Sequence, residues 1–291
     1  MAAILSTNTI TIDPAKIVRN HVALATNPVA FAALLGYSEL DQWQRALLLS
    51  TEQKVILNCC RQSGKSTLTA ILALHHALYN PGALVLVASA GSRQAGEFFH
   101  KVTGFYQDLG RPVPSDAENK HTLELRNKSR IVSLPCSGQT IRGFSAPSLI
   151  VIDEAAQVPS PVYDDALTPM LAASEGRLIL LSTPWGRSGF FYREWREGNE
   201  WLKLKITAEE CPRISKKWLA DRRAFMLDWK FKQEYMCEFG ENAAGVFSIE
   251  EWENAFDPSV KPLFNENGEL DVPIPDKPFK RGMIDALGWE L

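Results

Sequence analysis

Short apolar runs alternate with longer helical patterns from Val55 to about Ile206. The clearest runs are residues 55–57, 84–87, 149–152 and 178–181. A strand with one face in water alternates apolar and polar residues, whereas these runs are apolar at every position. The pattern therefore predicts strands of a parallel sheet that is covered by helices on both faces.

The segments between the runs predict the other elements of this core. Residues 66–79 and 92–109 read as helices, and Asn80-Pro81-Gly82 ends the first of them. Residues 123–125 and 130–134, joined around Asn127-Lys128, predict a hairpin. The predicted fold class is α/β, with a mostly parallel sheet flanked by helices.

The pattern changes after Thr207. Residues 215–228 and 229–239 are charged, aromatic-rich helical stretches, and residues 257–280 are rich in proline. We therefore expect four parts, which are an N-terminal segment, an α/β core, a small helical subdomain and a linker. Their predicted bounds are 1–50, 51–207, 208–250 and 251–291.

Composition narrows the class of protein. The 45% hydrophobic and 22% charged residues exclude a disordered or fibrous chain. The 291 residues carry a net charge of -3, so any contact with DNA must be local. The five cysteines, which include the adjacent Cys59 and Cys60, form no disulfide or zinc pattern and predict a reducing, cytoplasmic setting. The chain also shows neither a secretory signal nor a continuous apolar span.

A candidate phosphate loop, similar to a Walker A motif, lies between the first predicted strand and the first helix. It consists of Arg61, Gln62, Ser63, Gly64, Lys65, Ser66 and Thr67. Gly64 would let backbone N–H groups approach phosphate, Lys65 would reach the β and γ phosphates, and Ser66 would ligate Mg²⁺. The strict motif needs glycine at the position of Cys59, so this run alone leaves an accidental Gly-Lys-Ser open.

Asp153 and Glu154 follow the apolar run 149–152, as in a Walker B motif. Asp153 would hold Mg²⁺ through its water shell, and Glu154 would orient and activate the water that attacks the γ phosphate. A strand that ends in two solvated carboxylates is a common alternative. A phosphate loop before such a strand in the same alternating fold favours ATP hydrolysis.

Ser182, Thr183 and Pro184 directly follow the apolar run 178–181. Open α/β sheets bind ligands at the carboxyl ends of their strands, so this polar cluster could sense the γ phosphate. A plain turn at the end of a strand remains the alternative. His75 and His76 have no carboxylate or cysteine at ligand spacing, so their pattern does not predict a metal site.

The combination of motifs resembles the ATPase portion of the large terminase subunit of tailed bacteriophages, the motor that pumps DNA into a procapsid. The matching pieces are the loop at 61–66 without its first glycine, Ile-Asp-Glu-Ala-Ala at 152–156, Ser-Thr-Pro at 182–184 and Gln-Glu-Tyr-Met-Cys-Glu-Phe at 233–239. The resemblance implies a P-loop NTPase fold of the ASCE or RecA-like class. It also implies ATP and Mg²⁺ as cofactors, and ATP hydrolysis coupled to translocation of double-stranded DNA.

The resemblance assigns three further residues. Gln44 matches the family's adenine-reading glutamine, and Arg61 matches the arginine inside the phosphate loop. Arg142 matches an arginine finger that acts on the ATP of a neighbouring subunit, with a surface arginine or an ion pair within the subunit as the alternative. Trp43, beside Gln44, is predicted to belong to the core.

The implied partners are double-stranded DNA, the viral portal protein, the small terminase subunit and other copies of the chain in a ring, with no membrane. The implied location is the host cytoplasm, with transient docking on the procapsid portal. Residues 281–288 resemble the first strand of a ribonuclease-H-like nuclease domain, with Asp285 as its first metal-binding acid. One carboxylate cannot assemble a two-metal site, so we expect an incomplete large subunit that hydrolyses ATP and does not cleave DNA.

Two other functions remain as alternatives. A superfamily-2 helicase fragment would share the upstream glutamine, the phosphate loop and the Asp-Glu strand. It would need a second RecA-like domain, for which the residues after Thr207 are too few and too helical. A nucleotide-dependent assembly switch would bind ATP without turnover, and a water-activating Glu154 argues against it.

Overall fold

The computed structural model describes residues 21–136, 141 and 143–240. Arg142 and Asp285, which the sequence patterns single out, lie outside these residues. The chain divides into two compact units, and the second, Gly245–Leu291, also lies outside them. The expected bounds of the four parts of the chain therefore stay predictions.

Eight strands of the described region form one sheet in the order β3-β4-β5-β2-β6-β7-β1-β8. They are β1 Lys54–Cys59, β2 Leu84–Ser89, β3 Ser115–Glu118, β4 Thr122–Leu125, β5 Arg130–Pro135, β6 Leu149–Asp153, β7 Arg177–Ser182 and β8 Leu202–Ile206. The six strands from β5 to β8 in this order are parallel, whereas β4 runs antiparallel to both of its neighbours, β3 and β5. The four predicted strands and the predicted hairpin of β4 and β5 are confirmed.

Helices flank this sheet. They are α1 Pro28–Leu34, α2 Gln42–Leu49, α3 Lys65–Tyr79, α4 Ser92–Asp108, α5 Ser160–Val162, α6 Thr168–Leu171, α7 Gly189–Glu197, α8 Lys216–Phe225 and α9 Asp228–Met236. A π-helical turn, Tyr163–Leu167, joins α5 to α6. The predicted helices at 66–79 and 92–109 are confirmed as α3 and α4. None of the helices in the part of the chain that the structure describes is long and apolar enough to cross a membrane.

Strands β1, β2, β6 and β7 are buried on both faces, as their apolar runs predict. In β6, Leu149 and Val151 pack with α3 and α4, whereas Ile150 and Ile152 pack with residues 155–167 and α7. Adjacent residues of a strand point to opposite faces, so alternate positions fill the two cores. This arrangement leaves the carboxyl ends of the strands open along one edge of the sheet.

Helices α8 and α9 share a small core with the residues around them beside this edge. Its buried members are Cys60, Ala208, Cys211, Leu219, Phe231 and Cys237. The sequence predicts one helix that ends at Asp228, but the chain is extended at Met226 and Asp228 begins α9. Cys60 directly follows β1, so this helical pair packs against the start of the phosphate loop.

Acid should destabilise the protein through His76, which α3 holds against the sheet. His76 Nε2 lies 2.9 Å from Ser148 Oγ. Burial, together with the charges of His75 and Arg177, lowers the pKa of His76 from 6.5 to about 4. Because this pKa lies below that of the unfolded chain, stability is complete above pH 6.5 and falls as the pH drops towards 4. The expected loss is up to about 3 kcal/mol.

Thermal unfolding at pH 7.5 and pH 4.5 checks this prediction. His76→Gln keeps a hydrogen-bonding group near Ser148 and does not titrate, so we expect its melting temperature to fall less in acid than that of the wild type. An equal fall in melting temperature in the two proteins would contradict the assignment of the acid sensitivity to His76.

Candidate nucleotide-binding site

The phosphate loop connects β1 to α3. Gly64 immediately precedes α3 and has a φ of +84°, in the left-handed region that glycine adopts without strain. Gln62 also has a positive φ, +63°. The turn at Gly64 leads the chain directly into α3, whose free N–H groups and positive dipole end favour an anion.

A cavity of about 520 Å³ lies against this loop. All seven loop residues from Arg61 to Thr67 line it, together with Glu154, Thr183 and Pro184. Five further lining residues were not predicted from the sequence: Gln94, Lys101, Gln157, Trp185 and Glu234. The volume lies within the range of ligand pockets, about 300–1,000 Å³. The fold therefore brings three separate motifs to one cavity.

Ser66 and Asp153 meet at the base of the site. The Ser66 hydroxyl donates to Asp153 Oδ1 at 3.2 Å, and the Glu154 backbone N–H donates to the same oxygen at 3.1 Å. Burial and the charge of Glu154 raise the pKa of Asp153 to about 6, although Lys65 opposes this shift. A hydroxyl beside a carboxylate is a set of hard oxygen donors, which fits Mg²⁺ that is also held by waters and phosphate.

Lys65 and Glu154 form the charged centre of the site. Lys65 Nζ lies 3.5 Å from Glu154 Oε1 and 3.4 Å from Thr183 Oγ1. Burial disfavours the charged ammonium, but the negative groups around it, above all Glu154, raise the pKa of Lys65 overall. Glu154 has a φ of +53°, an uncommon conformation for a residue other than glycine. The site therefore holds a cation and a carboxylate within reach of one ligand.

Ser182 connects the end of β7 to the turn that follows Glu154. Its buried hydroxyl donates to Thr183 O at 2.8 Å and accepts from Ala156 N–H at 3.2 Å. The next residues extend this link, since Gly186 pairs with Gly240 beyond α9. One continuous segment thus runs from the cavity to the end of the helical pair.

Gln44 lines a neighbouring cavity rather than the cavity beside the phosphate loop. It is buried, and its Nε2 lies 3.8 Å from the position that a Cβ would take on Gly64. Its Oε1 accepts a hydrogen bond from Asp41 N–H at 2.9 Å. Trp43 is partly buried and packs against the core, as predicted.

Arg61 links the phosphate loop to α9. Its guanidinium forms an ion pair with Glu234, and its backbone N–H donates to Glu234 O at 3.3 Å. Glu234 belongs to the run 233–239, but its pairing with Arg61 has no signal in the sequence because the two residues are distant in the chain. Arg142 lies outside the described residues, so its place relative to this site stays a prediction.

A parallel sheet whose strands end in a phosphate loop, an Asp-Glu pair and Ser-Thr-Pro defines a P-loop NTPase. In this sheet β7 lies between β1 and β6. Residues 56–254 match a family model described as "Terminase large subunit, T4likevirus-type, N-terminal". The chain therefore belongs to the terminase large subunit family and matches its N-terminal part.

Individual relatives agree with the family. The large terminase subunit of Thermus virus P23-45 is 26% identical over 253 residues, which cover 75% of this chain and 52% of the relative. This chain thus spans about half the length of the curated relatives that it matches. The large terminase ATPase domain of Thermus phage P74-26 is 22% identical, with a TM-score of 0.65 over 73% of this chain and 99% of that one. The large terminase of a thermophilic bacteriophage, solved in complex with ADP, is 12% identical, with a TM-score of 0.56 over 69% of this chain and 54% of that one.

Proposed function

We propose that this chain hydrolyses ATP with Mg²⁺ and that this reaction drives translocation of double-stranded DNA into a viral procapsid. The observation that carries the proposal is the meeting of Lys65, Glu154 and Ser66 at one cavity beside the phosphate loop, with Asp153 buried behind Ser66 and bonded to it. Membership of the terminase large subunit family supports the link to DNA packaging.

ATP would bind across the two neighbouring cavities. The backbone N–H groups around Gly64 and the ammonium of Lys65 would hold the β and γ phosphates. Gln44 would read the adenine edge, since an amide both donates and accepts hydrogen bonds. Complexes of the thermophilic bacteriophage's large terminase with ADP and with ATP-gamma-S support nucleotide binding by this fold.

Ser66 and Asp153 would hold Mg²⁺. When bound, the ion neutralises charge on the β and γ phosphates. Hydrogen bonds from the backbone N–H of Glu154 and from the Ser66 hydroxyl orient the carboxylate of Asp153.

Glu154 would orient the attacking water and accept its proton. Lys65 would stabilise the negative charge on the phosphates, and we assign Arg142 of a neighbouring subunit to the same task. Glu154 is 3.5 Å from Lys65, so phosphate bound to Lys65 lies within reach of the carboxylate.

Ser182, Thr183 and Pro184 would pass the state of the site to the helical pair. Thr183 is near Lys65, and Ser182 holds the turn after Glu154. A change at the γ phosphate can therefore shift residues 182–186, of which Gly186 pairs with Gly240 beyond α9. The described residues after Thr207 form helices and no second parallel sheet, which favours a motor domain with a helical subdomain over a helicase fragment.

The partners in this proposal are double-stranded DNA, the portal protein, the small terminase subunit and further copies of this chain in a ring. They follow from the family and its DNA-packaging context. Addition of double-stranded DNA and portal protein to the chain should raise its ATP turnover. Turnover that neither partner changes would contradict the coupling.

Lys65→Ala tests nucleotide binding. Loss of a charged hydrogen-bond donor to phosphate should weaken binding of Mg-ATP by about 10- to 100-fold. Isothermal titration calorimetry measures this change. Lys203→Ala, at an exposed lysine of β8, is the matched control and should bind like the wild type. Unchanged affinity in Lys65→Ala would contradict the assigned phosphate site.

A further inference from the structure

A second cavity of about 530 Å³ shares Gly64 and Thr67 with the first. It is lined by residues 36–39, Gln44, Gly64, Thr67, Leu68 and Arg213. Arg213 differs from the rest because it comes from the segment that leads into α8, whereas the other residues belong to the first 68 of the chain. The second cavity therefore has Arg213, from the helical subdomain, and Gln44, the candidate adenine-reading residue, in one lining.

Arg213 is held at this cavity by groups from distant parts of the chain. Its Nη2 lies 2.6 Å from Asp41 Oδ2 and donates to Ser63 O at 2.8 Å. Its Nε lies 4.0 Å from the position that a Cβ would take on Gly64, where Gln44 Nε2 lies at 3.8 Å. The guanidinium and the amide thus lie next to the same turn of the phosphate loop.

Asp41 orients both of these side chains. Its backbone N–H donates to Gln44 Oε1, and its carboxylate pairs with Arg213. Rotation of either group would break a bond to Asp41, so the amide and the guanidinium have a fixed relation to each other. A fixed pair of this kind suits the recognition of a flat ligand, since it loses little freedom on binding.

We propose that Arg213 is a base-binding residue, whose planar guanidinium stacks on the adenine ring while Gln44 reads the edge of the base. Guanidinium groups stack on aromatic faces, and glutamine pairs with adenine through its donor and acceptor. The inference rests on the proposed function, because it names a further contact for the same ATP. Its consequence is that adenine binding ties the helical subdomain to the phosphate loop.

Comparison of ATP with a ligand that lacks the base tests this role. Calorimetric titration with Mg-ATP and with Mg-tripolyphosphate would be done on the wild type, Arg213→Ala and Arg213→Lys. We expect both variants to lose about tenfold in affinity for ATP and to bind tripolyphosphate as the wild type does. Arg222→Ala, at an arginine that lies over Trp218 in the same subdomain, is the control and should change neither affinity.

The lysine variant separates base binding from a purely structural ion pair. Lysine keeps the positive charge that pairs with Asp41 but lacks the planar guanidinium. If Arg213→Ala does not fold, Arg213→Lys alone still tests the proposal. If Arg213→Lys binds ATP as the wild type does, or if the affinities for ATP and tripolyphosphate fall equally, the role of Arg213 is overturned and the proposed function is not. A wild type that binds neither ligand would overturn the proposed function and this inference together.

Discussion

Replacement of Glu154 by glutamine should lower ATP turnover by about 10²- to 10⁴-fold while ATP still binds. Glutamine has the shape of glutamate but cannot accept the proton of the attacking water. The contact between Ser66 and Asp153 does not involve the Glu154 side chain, and glutamine keeps a side-chain oxygen that can accept from Lys65 Nζ, so the groups that bind ATP remain. Phosphate release under saturating Mg-ATP measures the turnover, and calorimetry measures the binding.

Glu209→Gln is the matched control for this variant, because Glu209 is exposed and lies outside the cavity. It should hydrolyse ATP like the wild type. Wild-type turnover in Glu154→Gln would show that another group activates the water. Loss of ATP binding in Glu154→Gln would instead assign Glu154 to ground-state binding.

Replacement of Arg142 by alanine should lower the turnover of the assembled ring by about 10³- to 10⁵-fold, the range found for arginine fingers. A guanidinium from a neighbouring subunit would neutralise the charge that develops on the γ phosphate. Turnover of the wild type should therefore rise with protein concentration as subunits assemble, whereas Arg142→Ala should stay slow at every concentration. Steady-state phosphate release over a series of protein concentrations measures both.

Mixed rings test whether Arg142 acts between subunits. Chains with Arg142→Ala keep Glu154, and chains with Glu154→Gln keep Arg142, so a mixed ring contains some complete sites. Mixing the two inactive variants should restore part of the turnover. Arg126→Ala, at an exposed arginine of the hairpin region, is the control and should be active alone. Absence of rescue, together with a wild-type rate that does not depend on concentration, would refute catalysis between subunits.

The sheet and the candidate phosphate site could be predicted because both depend on short segments of sequence. The run at 149–152 is apolar at every position, which predicts burial on both faces. It leads directly to Asp153 and Glu154. Gly64 and Lys65 likewise belong to a local turn between a strand and a helix. Since parallel strands end at the same edge of a sheet, the meeting of these residues follows from the order of elements alone.

Contacts between distant segments could not be predicted. Arg213 lies 172 residues from Asp41, and no periodic pattern or spacing indicates their pairing. Strand β8 alternates lysines with apolar residues, as an edge strand with one exposed face does, so it is not among the wholly apolar runs that predict β1, β2, β6 and β7. Arg213 connects the segment before α8 to Asp41 and to the phosphate loop, so the proposed coupling depends on tertiary packing.

Phosphate release from Mg-ATP by the wild-type chain, with Glu154→Gln measured in parallel, tests the central claim most directly. The measurement uses saturating ATP, double-stranded DNA and a protein concentration high enough for assembly. The predicted result is turnover that requires Mg²⁺ and that exceeds the rate of Glu154→Gln by about 10² or more. Equal, negligible rates in two proteins that both bind ATP would contradict it, because the site would then be a nucleotide-dependent switch rather than a motor.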